Sequence, residues 1–246
     1  MIGGKGDGEV FPRRGRWMPL FVAPTFCVLL GLGVWQLDRL SWKNELLADI
    51  QARLSDSAVT LSNLNAGTAV TSWNYRRVTA TGKLLHEQSV ILLARTYKAQ
   101  AGGHILTPMV LDEQRAILVS RGWVPQGYEL PKFSDEYSVT IEGIIRTPQN
   151  QGWFTPDNNP AVGQWYWVDL LALSVETGVT LLPVIIEAGL GPDPSALPIG
   201  GQTHVDLPND HLQYALTWFG LAMVLLVSFV VYYRQYLSAR RGKTGW

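Results

Sequence analysis

Two long runs without a charged residue constrain this chain more than any other feature. Residues 17–37 (WMPLFVAPTFCVLLGLGVWQL) and 212–233 (LQYALTWFGLAMVLLVSFVVYY) are 21 and 22 residues long. At about 1.5 Å per residue, each makes a helix of roughly 32 Å. That matches the hydrocarbon core of a bilayer, about 30 Å thick. Backbone polar groups find no partner in lipid, so such a run crosses as a helix that pairs its own amides. Whole-chain averages conceal the pattern, because 20 basic residues balance 20 acidic ones and 47% of residues are hydrophobic. Two other readings compete: a cleavable signal peptide for the first run and a buried core helix for the second. The first run is long for a signal sequence and no A-x-A site follows it. The second is followed by a basic stop at Arg234, Arg240, Arg241 and Lys243.

Flanking charge orients the spans. The first tail carries Lys5, Arg13, Arg14 and Arg16, and the last tail has no acid, whereas residues 38–211 hold 12 basic and 18 acidic residues. Basic flanks stay in the cytoplasm. The expected order is a cytoplasmic tail over 1–16, a transmembrane helix over 17–37, an extracytoplasmic (periplasmic) domain over 38–211, a second helix over 212–233, and a cytoplasmic tail over 234–246. The first tail is short and contains acids, which argues against a mitochondrial transit peptide and for a bacterial inner membrane. The GGKGDG stretch within it follows no strand and lacks the ending of a phosphate loop.

The middle of the chain reads as mainly β. A helix over 41–54, capped by Ser41, leads from the membrane with Leu46, Leu47, Ile50 and Leu54 at helical spacing. Residues 55–74 are polar and irregular. Runs rich in Val, Ile, Thr and aromatics follow at 75–84, 89–96, 104–111, 115–124 and 139–146. Asp112, Glu113 and Gln114 read as a hairpin loop, and Gly102-Gly103 as a turn or a close backbone approach. A further strand is expected over 164–168, then a short helix capped by Asp169 and closed by Gly178, then a strand over 183–187. The fold class is therefore an integral membrane protein with a transmembrane helix near each terminus and a mainly β (α+β) domain between them; the strand series is compatible with a barrel. The sole cysteine, Cys27, lies in the first run, so the domain has neither a disulfide nor a thiol pair. With no Gly-x-Ser-x-Gly elbow and no histidines at the spacing of a metal site, enzymatic chemistry is not expected. Nor is a nucleic-acid partner.

Five segments carry a resemblance. LGVWQLDRLSWK (32–43) looks like a Gly-x-Trp-Gln-x-x-Arg-x-x-Trp-Lys signature, and YRRVTATGKL (75–84), GGHILTPMVL (102–111), ILVSRGWVP (117–125) and NDHLQYALTWFGLA (209–222) follow in order. Together they resemble the surfeit locus protein 1 family, membrane factors for cytochrome c oxidase assembly. The resemblance implies a non-enzymatic chaperone that binds haem a, the farnesylated haem, as transient cargo and assists its delivery to oxidase subunit I. Haem A synthase is a further candidate partner. A membrane-tethered assembly scaffold that binds no haem is the alternative. The histidine that such factors place at the head of the second span corresponds to His211.

His211 stands out on the residues as well. It lies where the domain meets the second run, and His211, Tyr214, Ala215 and Trp218 share one helical face. Ala215 leaves room for a flat ring there, while Tyr214 and Trp218 can pack against it. Neutral imidazole is a common axial ligand for haem iron. Trp35, Arg39 and Lys43 sit at the outer end of the first span, where the two cations suit the propionates. Each has a plainer reading. His211 fits an interfacial polar residue, Trp35, Trp42 and Trp218 an aromatic belt, and Arg39 and Lys43 interfacial anchors.

Overall fold

The computed structural model describes residues 17–61, 70–113, 115–131, 138–203 and 209–241. The first tail with its GGKGDG stretch, Gln114, His204 and Lys243 lie outside the described residues. The chain forms two compact units, Met1–Ala48 with Leu207–Trp246, and Asp49–Asp206.

The first unit contains two helices. Helix α1 (Met18–Ser55) is 38 residues long and continuous, so the expected separate helix over 41–54 is its C-terminal part and Ser41 is no cap. The reason is local. Residues 38–55 contain neither proline nor glycine, and nothing stops a helix once nucleated. Side-chain pairs one turn apart support it: Ser41 Oγ donates to Glu45 Oε1 at 3.4 Å and Arg53 Nη2 meets Asp49 Oδ2 at 2.9 Å. Pro24 stands inside the helix without ending it. Nearby, Thr25 Oγ1 donates to the Phe21 carbonyl at 2.7 Å.

Helix α3 runs from His211 to Arg241. Each helix contains a stretch long and apolar enough to cross a membrane, with mean hydropathies of 1.9 and 2.2. The less exposed positions recur at alternating spacings of three and four, Phe26, Leu29, Gly33, Gln36, Leu40 and Lys43 on α1, and His211, Ala215, Trp218, Ala222, Leu225 and Phe229 on α3. This is the rhythm of a coiled-coil seam. The pairing is antiparallel, since Asn44, Gln36 and Gly33 face Asn209, His211 and Phe219 in turn. Gly33 is required there: a Cβ would fall on the Phe219 ring.

The second unit is a barrel. Its strands are β1 (Val59–Thr60), β2 (Arg77–Leu84), β3 (Val90–Tyr97), β4 (Gln100–Val110), β5 (Ala116–Pro125), β6 (Ser138–Arg146) and β7 (Leu181–Ala188). The order β2-β6-β7-β5-β4 closes on itself because β4 also pairs with β2, Leu84 opposite Met109. Strand β1 lies parallel beside β2, and β3 antiparallel beside β4. One core fills the barrel with Val78, Ala80, Met109, Ile117, Val119, Ile145 and Ile186. A second lies on the outer face of the same sheet, where Leu92, Leu106, Leu118 and Ile185 meet Trp165 and Leu173. Strands β4 and β5 are thus buried on both faces, which is why AILV at the start of β5 is continuously apolar rather than alternating.

Helix α2 (Leu170–Thr177) matches expectation. Asp169 Oδ1 accepts from the Leu171 and Ala172 amides at 3.1 and 3.0 Å, and Gly178 ends the helix in the left-handed region. The expected strand over 164–168 is reduced to two isolated bridges, Gln164 to Asn159 and Trp165 to Leu92. Asn158 is the cause, because its Oδ1 accepts from the Tyr166 and Trp167 amides at 2.8 and 3.3 Å and takes them from any ladder. The described residues within 55–74 are less irregular than expected, with β1 and a 3-10 turn over Val70–Trp73, and 62–69 lie outside the described residues. Gly102-Gly103 proves to be a close approach inside β4, not a turn, as a Cβ at Gly102 would meet the Trp123 indole at 2.6 Å. The turn is at Lys98 and Ala99, both at positive φ. Trp123 is buried, with its ring 5.4 Å from that of Tyr97.

Candidate functional site

The candidate site lies in the seam of α1 and α3. Gln36 is an amide within an uncharged apolar run, and only 9% of its surface is exposed. His211 opens α3 and is half-buried. Its Nδ1 lies 2.8 Å from Gln36 Oε1. A carboxamide oxygen only accepts, so Nδ1–H is the donor. That choice fixes the ring's tautomer and leaves Nε2 as the nitrogen with the lone pair. Two turns further along α1, Asn209 Nδ2 donates to Asn44 Oδ1 at 2.8 Å and ties the residues just before α3 to α1.

The other expected residues fall in different settings. Ala215 is buried in the seam at 1% exposure. Pairing with α1 takes up the room that the bare face suggested, so no open space remains beside Ala215 for a flat ring. Trp218 is half-buried in the same seam, whereas Tyr214 is 56% exposed. Trp35 is exposed, and the Arg39 guanidinium lies 5.9 Å from its ring and 5.2 Å from that of Trp42. Trp35, Arg39 and Trp42 thus form a cation–aromatic ladder on the exposed flank of α1. Lys43 is half-buried in the seam.

The seam brings His211 together with Gln36, a residue that the 32–43 signature contains but to which the sequence reading gave no role in the site. The available signal was a polar side chain within a charge-free span, which lipid makes expensive unless it has a partner. Chemically the pair is an imidazole oriented by a carboxamide, an arrangement that serves either a metal ligand or a helix-to-helix clasp.

The chain matches the SURF1 family over residues 23–223. A SURF1-like protein of Monosiga brevicollis is 35% identical over 219 residues, covering 82% of this chain and 82% of that protein. Surfeit locus protein 1 of Rattus norvegicus is 32% identical over 225 residues, with 84% and 71% covered. Its Homo sapiens counterpart is 32% identical over 227 residues, with 84% and 73% covered. The matched span contains Gln36, His211 and every strand of the barrel, and the chain belongs to the SURF1 family.

Proposed function

We propose that this protein is a membrane-anchored, non-enzymatic factor of cytochrome c oxidase biogenesis that binds haem a through His211 and passes it to oxidase subunit I. One observation supports this above the others: the hydrogen bond from His211 Nδ1 to Gln36 Oε1. Histidines that ligate metals commonly donate their second ring N–H to such an acceptor, which sets the tautomer and raises ligand basicity. Haem iron offers an axial position that a neutral imidazole nitrogen fills. The cargo is amphipathic, with a porphyrin and farnesyl tail suited to lipid and propionates suited to water and cations. Arg39 stands three residues from Gln36 on the exposed flank of α1, where it can meet a propionate. Trp35, Tyr214 and Trp218 supply aromatic surface around it. Binding through one imidazole is reversible, as a carrier requires. The membrane is a bacterial inner membrane in this reading, and the basic flanks favour both termini in the cytoplasm, with the barrel in the periplasm. Haem A synthase is the natural donor of the cargo.

The test is a haem a titration of the detergent-solubilised protein, followed at the Soret band. The wild type should give a saturable, stoichiometric complex. His211→Ala should abolish it, and Gln36→Leu should weaken it roughly 10–100-fold without changing the ligand signature. Equal, unsaturable signals from all three would show haem partitioning into apolar surface, and the scaffold reading would replace this one.

A further inference from the structure

The outer face of the barrel carries a cavity of about 650 Å³, a size typical of small-molecule sites. All of its lining residues belong to Asp49–Asp206. Its apolar lining includes Leu92, Leu106 and Ile185, and its polar lining includes Arg95, Arg146 and Glu187.

The cations in this wall are poorly matched. Arg95 donates only to neutral carbonyls, those of Leu93, Ala94 and Tyr166, at 3.3, 3.3 and 3.4 Å. It forms no ion pair among the described residues, and burial lowers its pKa from the usual value. Arg146 lies over the Tyr75 ring at 4.1 Å, and its Nε is 3.8 Å from Glu187 Oε1. Yet Arg146 Nη1 is buried without a hydrogen-bond partner, as are Trp167 Nε1 and Thr147 Oγ1, and all three residues line the cavity. The other Glu187 oxygen is taken by the Thr203 hydroxyl. Buried polar atoms without partners are rare in folded proteins, and each calls for a physical reason.

We infer that this cavity binds a small amphipathic monocarboxylate, its head among Arg95, Arg146 and Trp167 and its apolar body against Leu92, Leu106 and Ile185. A planar carboxylate accepts from a guanidinium through two parallel bonds. In the wall itself Arg95 and Arg146 stand against the Glu187 carboxylate, which leaves a single positive charge for the ligand to balance and suits a monoanion better than a phosphate dianion. The aliphatic lining takes the rest of the molecule.

The test uses the full-length protein in detergent with para-trifluoromethyl phenylacetate as probe, read by fluorine NMR. The neutral amide of the same acid is the control for micelle and apolar partitioning. The carboxylate should bind saturably at one site, with the amide and the Arg95→Gln protein each roughly tenfold weaker or more. Arg146→Gln should act in the same direction, and His211→Ala should leave probe binding unaltered. If Arg146→Gln does not fold, the acid–amide comparison on the wild type still decides. Equal binding of acid and amide, an absence of saturation at millimolar probe, or a folded Arg95→Gln protein with wild-type affinity overturns the proposal. A phosphate monoester that binds more tightly than the acid overturns the choice of a monocarboxylate.

Discussion

A buried carboxamide left without a hydrogen bond costs about 1–3 kcal/mol, so Gln36 in its apolar helix requires a partner, and His211 is that partner. The interaction serves both residues, since the imidazole gains a defined tautomer from the contact that satisfies the amide. Arg39 shows how a cation at the end of a span finds company without a carboxylate, on the faces of Trp35 and Trp42. In the barrel, Gly122 is held to glycine both by its backbone angle and by a close neighbour. It holds φ at +131°, and a Cβ there would fall on the Ile199 carbonyl. Gly122→Ala should therefore destabilise the domain by roughly 1–3 kcal/mol, read as a lower denaturant midpoint by tryptophan fluorescence. An unchanged midpoint would mean that the 199–200 segment yields at no cost. The glycine was visible in Arg-Gly-Trp-Val-Pro. Its dihedral was not, because φ there follows from the return of Ile199 to pair with Trp123.

At the scale of elements, local chemistry accounts for α2 nearly in full. Asp169 accepts from two first-turn amides, and Gly178 takes the left-handed conformation that ends the helix. Leu173, fully buried, anchors it to the outer core. Asp169→Ala should cost about 1 kcal/mol, visible as a lower melting temperature, while Asp169→Ser should recover most of it. Equal melting of all three proteins would show that the cap contributes nothing once Leu173 is docked. The strand β2 was legible for a similar reason, its buried and less buried positions alternating with period two. The segment 164–168 was not, because the side chain that diverts its amides, Asn158, stands outside it. Helix α1 was misjudged at its middle: a change from apolar to charged residues marks where a surface changes, and the backbone bonds of a helix are indifferent to it.

At the scale of the molecule, the sheet unit has what a domain needs to fold alone, a closed barrel with one core inside and a second under α2. A protein comprising Asp49–Asp206 should be soluble, show β-rich circular dichroism and melt in one cooperative transition. A molten, uncooperative product would show that the helices are needed for the barrel to close. The sequence by itself determined the two apolar helices, most of the strands, the α2 cap and the histidine at the head of α3. These follow from length, charge and periodicity, which act between near neighbours. Only the tertiary structure decided that β2 closes on β4, that β4 and β5 are covered on both faces, and that Arg95 and Arg146 share a cavity. It alone joined His211 to Gln36, 175 residues away. The physical reason is the same each time: such contacts depend on the register in which distant segments meet, and register is set by packing many side chains at once rather than by any one stretch of chain.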